Sequence, residues 1–362
     1  MITLLLAALS TAAWWLFTTD FDLAMLVGAI LLLFFLGDFL ILIALPRLRI
    51  SFGAWQPQFF QLIILRTLAA ICIGFFILLA SWTWGHLFLL AVQILGTAAL
   101  FWGAVIEPSR LQKKRLEIRT DRLKSGTSPI RLLHISDLHI ERLSRREDQI
   151  LRAVAIEQPD MIVITGDYVN LSYNRDPETY RQIHGFLAQL SAPFGVYATL
   201  GTPTVDIREY VVPMFDDLTI HLMREECRTV TLGDGQRIAL LGLDCTHHIA
   251  PDAAVLVRLS RQAPADTVQL LLYHSPELMP QAAEEEVDLY LCGHTHGGQV
   301  RLPLIGPLLT SSQLGRQYVM GLYRADRTHL YVSRGVGLEG LSAPRVRMLA
   351  RPEITMVTIG PL

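Results

Sequence analysis

Cysteine is scarce in this chain. Its 362 residues include four, Cys72, Cys227, Cys245 and Cys292. None stands in a C-x-x-C pair, which argues against a disulfide frame or a zinc ribbon and leaves each as a small apolar side chain. An excess of charge is also missing. The formal net charge is -2, so no general pull toward nucleic acid is expected. No internal repeat and no low-complexity tract is present. Apolar residues, by contrast, make up 51% of the chain, and their excess lies before Glu107. The length suits two or more domains.

Four apolar stretches precede Glu107, at residues 2–17, 23–45, 59–82 and 86–106. The last three reach the roughly 20 residues that a membrane-crossing helix needs. The first is shorter. A signal peptide would carry a basic n-region, which is absent, so an uncleaved helix is expected. Loop charges set the orientation. Asp20 and Asp22 follow the first stretch, Arg47 and Arg49 the second, and no charge stands around Trp84 and Gly85. Arg110, Lys113, Lys114, Arg115, Arg119, Arg122 and Lys124 follow the fourth. This alternation predicts an inner (cell) membrane, multi-pass protein whose N-terminus and C-terminal domain are cytoplasmic. Asp38 and Arg66 are the two charges inside the apolar runs. Their equal depth on neighbouring antiparallel helices predicts an ion pair; the alternative is that Arg66 snorkels and Asp38 faces a neighbour's hydroxyl. The expected organisation is transmembrane helices over 1–106, a basic linker or surface helix over 107–129, and a folded domain over 130–362. The basic stretch can also touch anionic headgroups.

From Ile130 the chain alternates apolar runs with amphipathic stretches. Strands are predicted at residues 131–136, 161–165, 194–199, 237–241, 268–273, 289–292, 328–333 and 354–359. Helices are predicted at 145–157, 177–190, 207–215, 252–261 and 276–285. This alternation points to an α/β fold. In such folds the chemistry sits beyond the carboxyl ends of strands. Asp137 and His139 follow the first predicted strand, Asp167 the second, His274 the fifth, and His294 and His296 the sixth. In an extended segment residues two apart face the same way, so the pairs Asp137/His139 and His294/His296 can each face one ion or one pair of ions. Imidazole is the commonest side-chain ligand of transition metals. Any one of these elements is a common accident. A structural protein has no reason to gather the whole set at one sheet edge, so the set points to a metal-dependent hydrolase.

The chain resembles the calcineurin-like metallophosphoesterases over about residues 131–362. It looks closest to their membrane-anchored bacterial subgroup and is more distantly similar to UDP-2,3-diacylglucosamine diphosphatases. The matching blocks are His134-Ile135-Ser136-Asp137-Leu138-His139, Thr165-Gly166-Asp167-Tyr168-Val169-Asn170, Gly293-His294-Thr295-His296-Gly297-Gly298-Gln299 and Val332-Ser333-Arg334-Gly335-Val336-Gly337. The resemblance implies an α/β sandwich behind the four-helix transmembrane region, with two divalent ions as cofactors. Asp137, His139 and His296 would hold the first ion, Asp167 would bridge, and His274 and His294 would hold the second. Asp167, Asn170 and His294 would serve catalysis, Asn170 by supporting the site rather than ligating. One departure stands out. Where the family has Gly-Asn-His-Asp or Gly-Asn-His-Glu, this chain has Gly201-Thr202-Pro203-Thr204. Thr202 replaces an asparagine ligand of the second ion, and Pro203 replaces a histidine that assists the leaving group.

Mixed carboxylate and imidazole donors suit Mn, Fe or Zn. Losing a positioned acid costs about 10²–10⁴ in rate, and the loss falls hardest on alkoxide leaving groups. A pyrophosphate releases a phosphate monoester, which needs no strong protonation. The expected activity is therefore phosphoester or pyrophosphate hydrolysis at the cytoplasmic membrane face, with a phosphorylated or nucleotide-linked lipid as substrate and membrane lipids as partners. The alternative is a metal-binding regulatory membrane protein whose catalysis has decayed. Residues 302–309 form an apolar loop after the metal block, expected either against bilayer or acyl chain or as a buried cap. Arg301 and Arg316 flank it; either can meet a phosphate, though surface salt bridging is the expected role for each. His134, His184 and His329 are expected to be structural. His247 and His248 are expected in a surface loop, with cleft lining as the alternative.

Overall fold

Unbroken apolar runs leave the backbone no partner but itself, and helices result. In the computed structural model, which describes residues 1–50, 54–80, 84–339 and 345–362, these are α1 (Ile2–Thr18), α2 (Phe21–Ala44), α3 (Trp55–Ala80) and α4 (Gly85–Phe101). One π turn, Trp102–Ile106, continues α4. The expected end of the third stretch at Trp82 lies outside the described residues. The Asp20 carboxylate caps α2 by accepting from the Leu23 N–H at 3.0 Å. Among the described residues three helices, rather than the four expected, are long and apolar enough to cross a membrane. The exception is α1: its 17 residues extend about 26 Å at 1.5 Å per residue, short of a hydrocarbon core of about 30 Å.

Asp38 and Arg66 do form the expected pair. Arg66 Nε and Nη2 donate to the two carboxylate oxygens at 2.6 and 2.8 Å. Gln93 Oε1 and Thr97 Oγ1 each accept one more N–H at 2.8 Å, and Gln93 O takes the fifth at 3.4 Å. Every donor of the fork is thereby satisfied away from water, which is what makes a buried charge tolerable. Arg66→Leu strands Asp38 and should cost about 3–5 kcal/mol, read as a lower yield of monodisperse protein in detergent. Adding Asp38→Leu should recover most of that yield, because the stranded charge goes with it.

Met1–Val105 forms one compact unit; Ile106–Glu339 and Val346–Leu362 form the other. The second contains β1 (Gln112–Thr120), β2 (Ile130–Ile135), α5 (Arg145–Glu157), β3 (Met161–Thr165), α6 (Pro177–Leu187), β4 (Val196–Thr199), α7 (Arg208–Val211), β5 (Ile220–Leu222), β6 (Glu226–Thr231) and β7 (Arg237–Gly242). It continues with α8 (Ile249–Ser260), β8 (Val268–Leu272), α9 (Met279–Glu284), β9 (Leu289–Cys292), β10 (Arg301–Leu302), β11 (Gly306–Pro307), β12 (Gly321–Ala325), β13 (Thr328–Val332) and β14 (Glu353–Pro361). Two six-stranded sheets result, in the orders β1-β14-β2-β3-β4-β5 and β12-β13-β9-β8-β7-β6.

The layering follows from alternation along each strand. Met161 and Val163 of β3 join a core shared with Leu240, Leu270 and Leu291 of the other sheet. Ile162 and Ile164 face the opposite way and pack with Ile150 of α5 and Phe186 of α6. The second sheet does the same, turning Leu271 and Tyr290 toward Leu256 of α8 and Met279 of α9. The unit is an α/β sandwich with helices on both outer faces. The basic stretch expected as linker or surface helix is instead the edge strand β1, paired parallel with β14. Two of its exposed charges are held on the domain itself: Lys113 and Arg115 both donate to Glu157 Oε1 at 3.0 Å.

Candidate metal centre

Parallel strands of both sheets end at one rim. From the first sheet come the turns after β2, β3 and β4; from the second come those after β7, β8 and β9. The turns are laced together by their backbones. Asp137 N–H donates to Gly166 O at 3.1 Å, and His139 N–H to Asp167 O at 3.0 Å. Asp206 ties the turns after β3 and β4 together, its carboxylate accepting from the N–H groups of Asp167, Tyr168 and Gly201 at 2.8–2.9 Å. The approach is close enough to exclude a side chain at Gly201, where a Cβ would lie 2.2 Å from Asp167 Oδ1. The sharp turns have a conformational cost. Asp137, His139, Asp167, His294 and His296 all have φ between 40° and 70°. Such backbone in non-glycine residues costs about 1–3 kcal/mol each and gathers at functional sites.

This rim brings the six sequence-predicted ligands into two groups. Asp137, His139 and His296 offer donor atoms within 4.8 Å of one another, and so do Asp167, His274 and His294. The groups adjoin through Asp167, whose Oδ2 is 3.4 Å from His139 Nε2 and 3.2 Å from His274 Nε2. Asn170 enters neither group. Its amide donates to Leu338 O at 2.9 Å and its oxygen accepts from Ser172 N–H at 2.9 Å. It positions the loop.

The donor set fits divalent cations. Asp137 is wholly buried, and its Oδ2 has no hydrogen-bond partner among the described residues. An anionic oxygen in that setting requires a compensating positive charge. The neighbouring imidazoles register the same demand. Burial disfavours a charged His139, but Glu339, Asp167 and Asp137 outweigh it and raise its pKa to about 9. At His274 burial is again outweighed, by Asp167 and Asp137, and the value rises to about 10. Burial would raise Asp167; His274, His139 and His294 instead hold it well below the usual carboxylate range. His294 is pushed down to about 3 by burial and by the charges on His274 and His247. Cations bound here would displace the imidazole protons and take over their role. Outer contacts aim the donors: His274 Nδ1 faces Thr165 O at 2.8 Å, leaving Nε2 for Asp167's side of the cleft. Arg347 Nη2 reaches His296 Nδ1 at 3.1 Å.

The departure in the third block is visible here. Thr202 N–H donates to Asp167 Oδ1 at 2.7 Å. Its hydroxyl lies 3.3 Å from His274 Nε2 and 3.5 Å from Asp167 Oδ2, inside the second group. Pro203 is exposed and has no proton to give. Three residues at the rim escaped the sequence argument: Asp206, Glu339 and Arg347. His247 lies in a loop just after a strand, and of its two expected places it takes the cleft rather than the open surface, with Nε2 3.3 Å from the Thr202 hydroxyl. His248 is exposed, as expected. His134 is fully buried with Nε2 2.8 Å from Thr165 Oγ1, a packed structural residue.

The apolar loop 302–309 is no buried cap. Leu304, Ile305, Leu308 and Leu309 are all exposed. Arg301 and Arg316, expected in surface salt bridges, instead donate to the carbonyls of Gly297 at 2.9 Å and Ile305 at 3.2 Å. Arg316 thus holds the loop's own backbone and Arg301 that of the preceding histidine block.

Residues 130–298 match the family described as calcineurin-like phosphoesterase. The chain is 31% identical over 264 residues to the uncharacterized metallophosphoesterase YkuE of Bacillus subtilis, covering 70% of this chain and 87% of that one. It is 30% identical over 244 residues to the phosphodiesterase YaeI of Escherichia coli, covering 65% and 84%. A transmembrane protein with metallophosphoesterase domain from Bos taurus is 27% identical over 260 residues, covering 67% of this chain and 56% of that protein.

Proposed function

The chain belongs to the calcineurin-like metallophosphoesterases, and from that premise we propose that it is a membrane-tethered hydrolase of an activated phosphate bond, the diphosphate of a nucleotide-linked lipid. The observation that carries this is the meeting of six buried or half-buried donors in two adjoining groups around Asp167. Divalent ions at such paired sites supply Lewis-acid activation of water and neutralise charge on the phosphoryl oxygens. The residues divide the remaining work. Asp137, His139, Asp167 and His296 would hold one ion; Asp167, His274 and His294 would hold the other, with Mn, Fe or Zn suited to the mixed donors. Thr165 and Arg347 fix the imidazole orientations. Asp206 keeps Asp167 and Thr202 at their spacing.

Substrate class follows from what the rim lacks. Pro203 cannot protonate a departing oxygen, so a leaving group that departs as an anion is favoured, and a phosphate monoester does. The exposed Leu304, Ile305, Leu308 and Leu309 suit an acyl chain or bilayer beside the site. The three apolar helices supply the anchor. The alternation of basic loops supports a cytoplasmic site at a bacterial inner membrane.

The test uses the full chain in detergent with Mn. It should hydrolyse a nucleotide-diphosphate acyl sugar and bis-p-nitrophenyl phosphate, and act poorly on p-nitrophenyl phosphate, which demands the same metals with different charge. Inactivity on all three, with two ions bound, would replace the enzyme with the regulatory metal-binding protein that Thr202 and Pro203 otherwise favour. A periplasmic reporter fused after Leu362 should be silent; an active one would reverse the orientation.

A further inference from the structure

The geometry points to His247 as an additional imidazole ligand of the second ion, standing in for the donor that Thr202 replaces. This rests on the two-ion reading above and concerns the same site. Donors bound to one ion at about 2.0–2.2 Å stand roughly 3.0–3.5 Å apart. The atoms around Thr202 trace such edges. His247 Nε2 to Thr202 Oγ1 is 3.3 Å, Thr202 Oγ1 to His274 Nε2 is 3.3 Å, and His274 Nε2 to Asp167 Oδ2 is 3.2 Å. His294 closes the group, its ring centroid 4.6 Å from that of His247 and 5.1 Å from that of His274.

Three further observations set His247 apart from an ordinary loop histidine. Its other ring nitrogen, Nδ1, faces Glu277 Oε2 at 3.5 Å, the imidazole–carboxylate pairing that metal-ligating histidines use to aim a ring and fix its tautomer. Glu277 is itself buried and held, accepting from Ser275 Oγ and from Gln313 N–H, the latter at 2.9 Å. Finally, His247 has φ 60°, the left-handed backbone that five of the six other candidate ligands adopt, and Gln313 Nε2 donates to its carbonyl at 2.9 Å. His247, Glu277 and His294 also place donor atoms within 4.8 Å of one another. A solvated loop imidazole would need neither the strained backbone nor the buried carboxylate.

The experiment reads ions rather than turnover. The full chain in detergent is stripped with chelator and dialysed against graded Mn, and bound metal per chain is counted by mass spectrometry. Wild type should bind two ions. His247→Ala should keep the first at wild-type affinity and weaken the second at least 10–100-fold; His248→Ala should change neither. Adding Thr202→Asn to His247→Ala should restore the second ion. Should His247→Ala fail to fold, Glu277→Gln reports on the same imidazole and should weaken the second ion about tenfold. Two ions at wild-type affinity in His247→Ala, or in the folded Glu277→Gln that replaces it, would overturn the role of His247 alone. Fewer than two in wild type would overturn the two-ion reading and this inference with it.

Discussion

Asp167→Asn should lower hydrolysis of bis-p-nitrophenyl phosphate at least about 10³-fold and remove both ions while leaving the chain folded. The substitution is nearly isosteric. Its retained oxygen can still accept from Thr202 N–H, the 2.7 Å contact that ties the turns after β3 and β4. What it removes is the charge on Oδ2, the atom within 3.4 Å of both His139 and His274. An amide there also aims an N–H at two imidazole nitrogens that should be ligating. Metal activation and clamping contribute several kcal/mol to such reactions, and each 1.36 kcal/mol is tenfold in rate, which gives the magnitude. The measurement is kcat/KM beside a metal count. Retention of more than a tenth of the activity would show that Asp167 is not shared between ions.

Arg347→Met should destabilise the domain by about 3–5 kcal/mol, the size expected when a buried network loses its donor. Arg347 is completely buried, and among the described residues its hydrogen bonds run to carbonyls and to His296 rather than to a carboxylate. Its guanidinium spans carbonyls instead: Arg334 and Ala350 at 2.8 Å each, and Gly337 at 3.1 Å from Nε. Burial pushes its pKa down to about 9. A methionine fills much of the volume and leaves those carbonyls without a donor, each costing about 1–3 kcal/mol. For a domain of this size the melting temperature should fall by roughly 10 °C, at 2–4 °C per kcal/mol. The first ion should also bind about 10–100-fold more weakly, because His296 Nδ1 loses its fixed neighbour. Arg347→Lys should rescue less than half of the stability, since an ammonium is a compact charge and cannot span the same acceptors. A melting temperature within 2 °C of wild type for Arg347→Met would sink this account.

Legibility varied along the chain for physical reasons. The eight predicted strands all appear, because strands buried on both faces are continuous apolar runs such as Met161–Thr165. The edge strand β1 did not read as a strand. The only apolar side chains in Gln112–Thr120 are Leu116 and Ile118, and the charged residues around them look like a linker. The same dilution hid β6, Glu226–Thr231, whereas β5 is only three residues long. The helix at Arg145–Glu157 keeps its predicted bounds, and the structure adds a capping box between Ser144 and Glu147 at its start.

By itself, the sequence determined that this protein has apolar helices joined to an α/β domain, and that two carboxylates and four imidazoles leave strand ends in an order suited to metals. Those properties are local: hydrophobic runs, periodicity and residues next to strand ends. The tertiary structure alone decided which loops meet. His247 leaves β7 in one sheet and Thr202 leaves β4 in the other, 45 residues apart in sequence, yet their side chains stand 3.3 Å apart. That contact depends on two sheets stacking with their carboxyl ends at a shared rim, a consequence of core packing between Met161, Leu240 and their neighbours. No local pattern encodes it, because the packing that creates the rim involves none of the residues that line it.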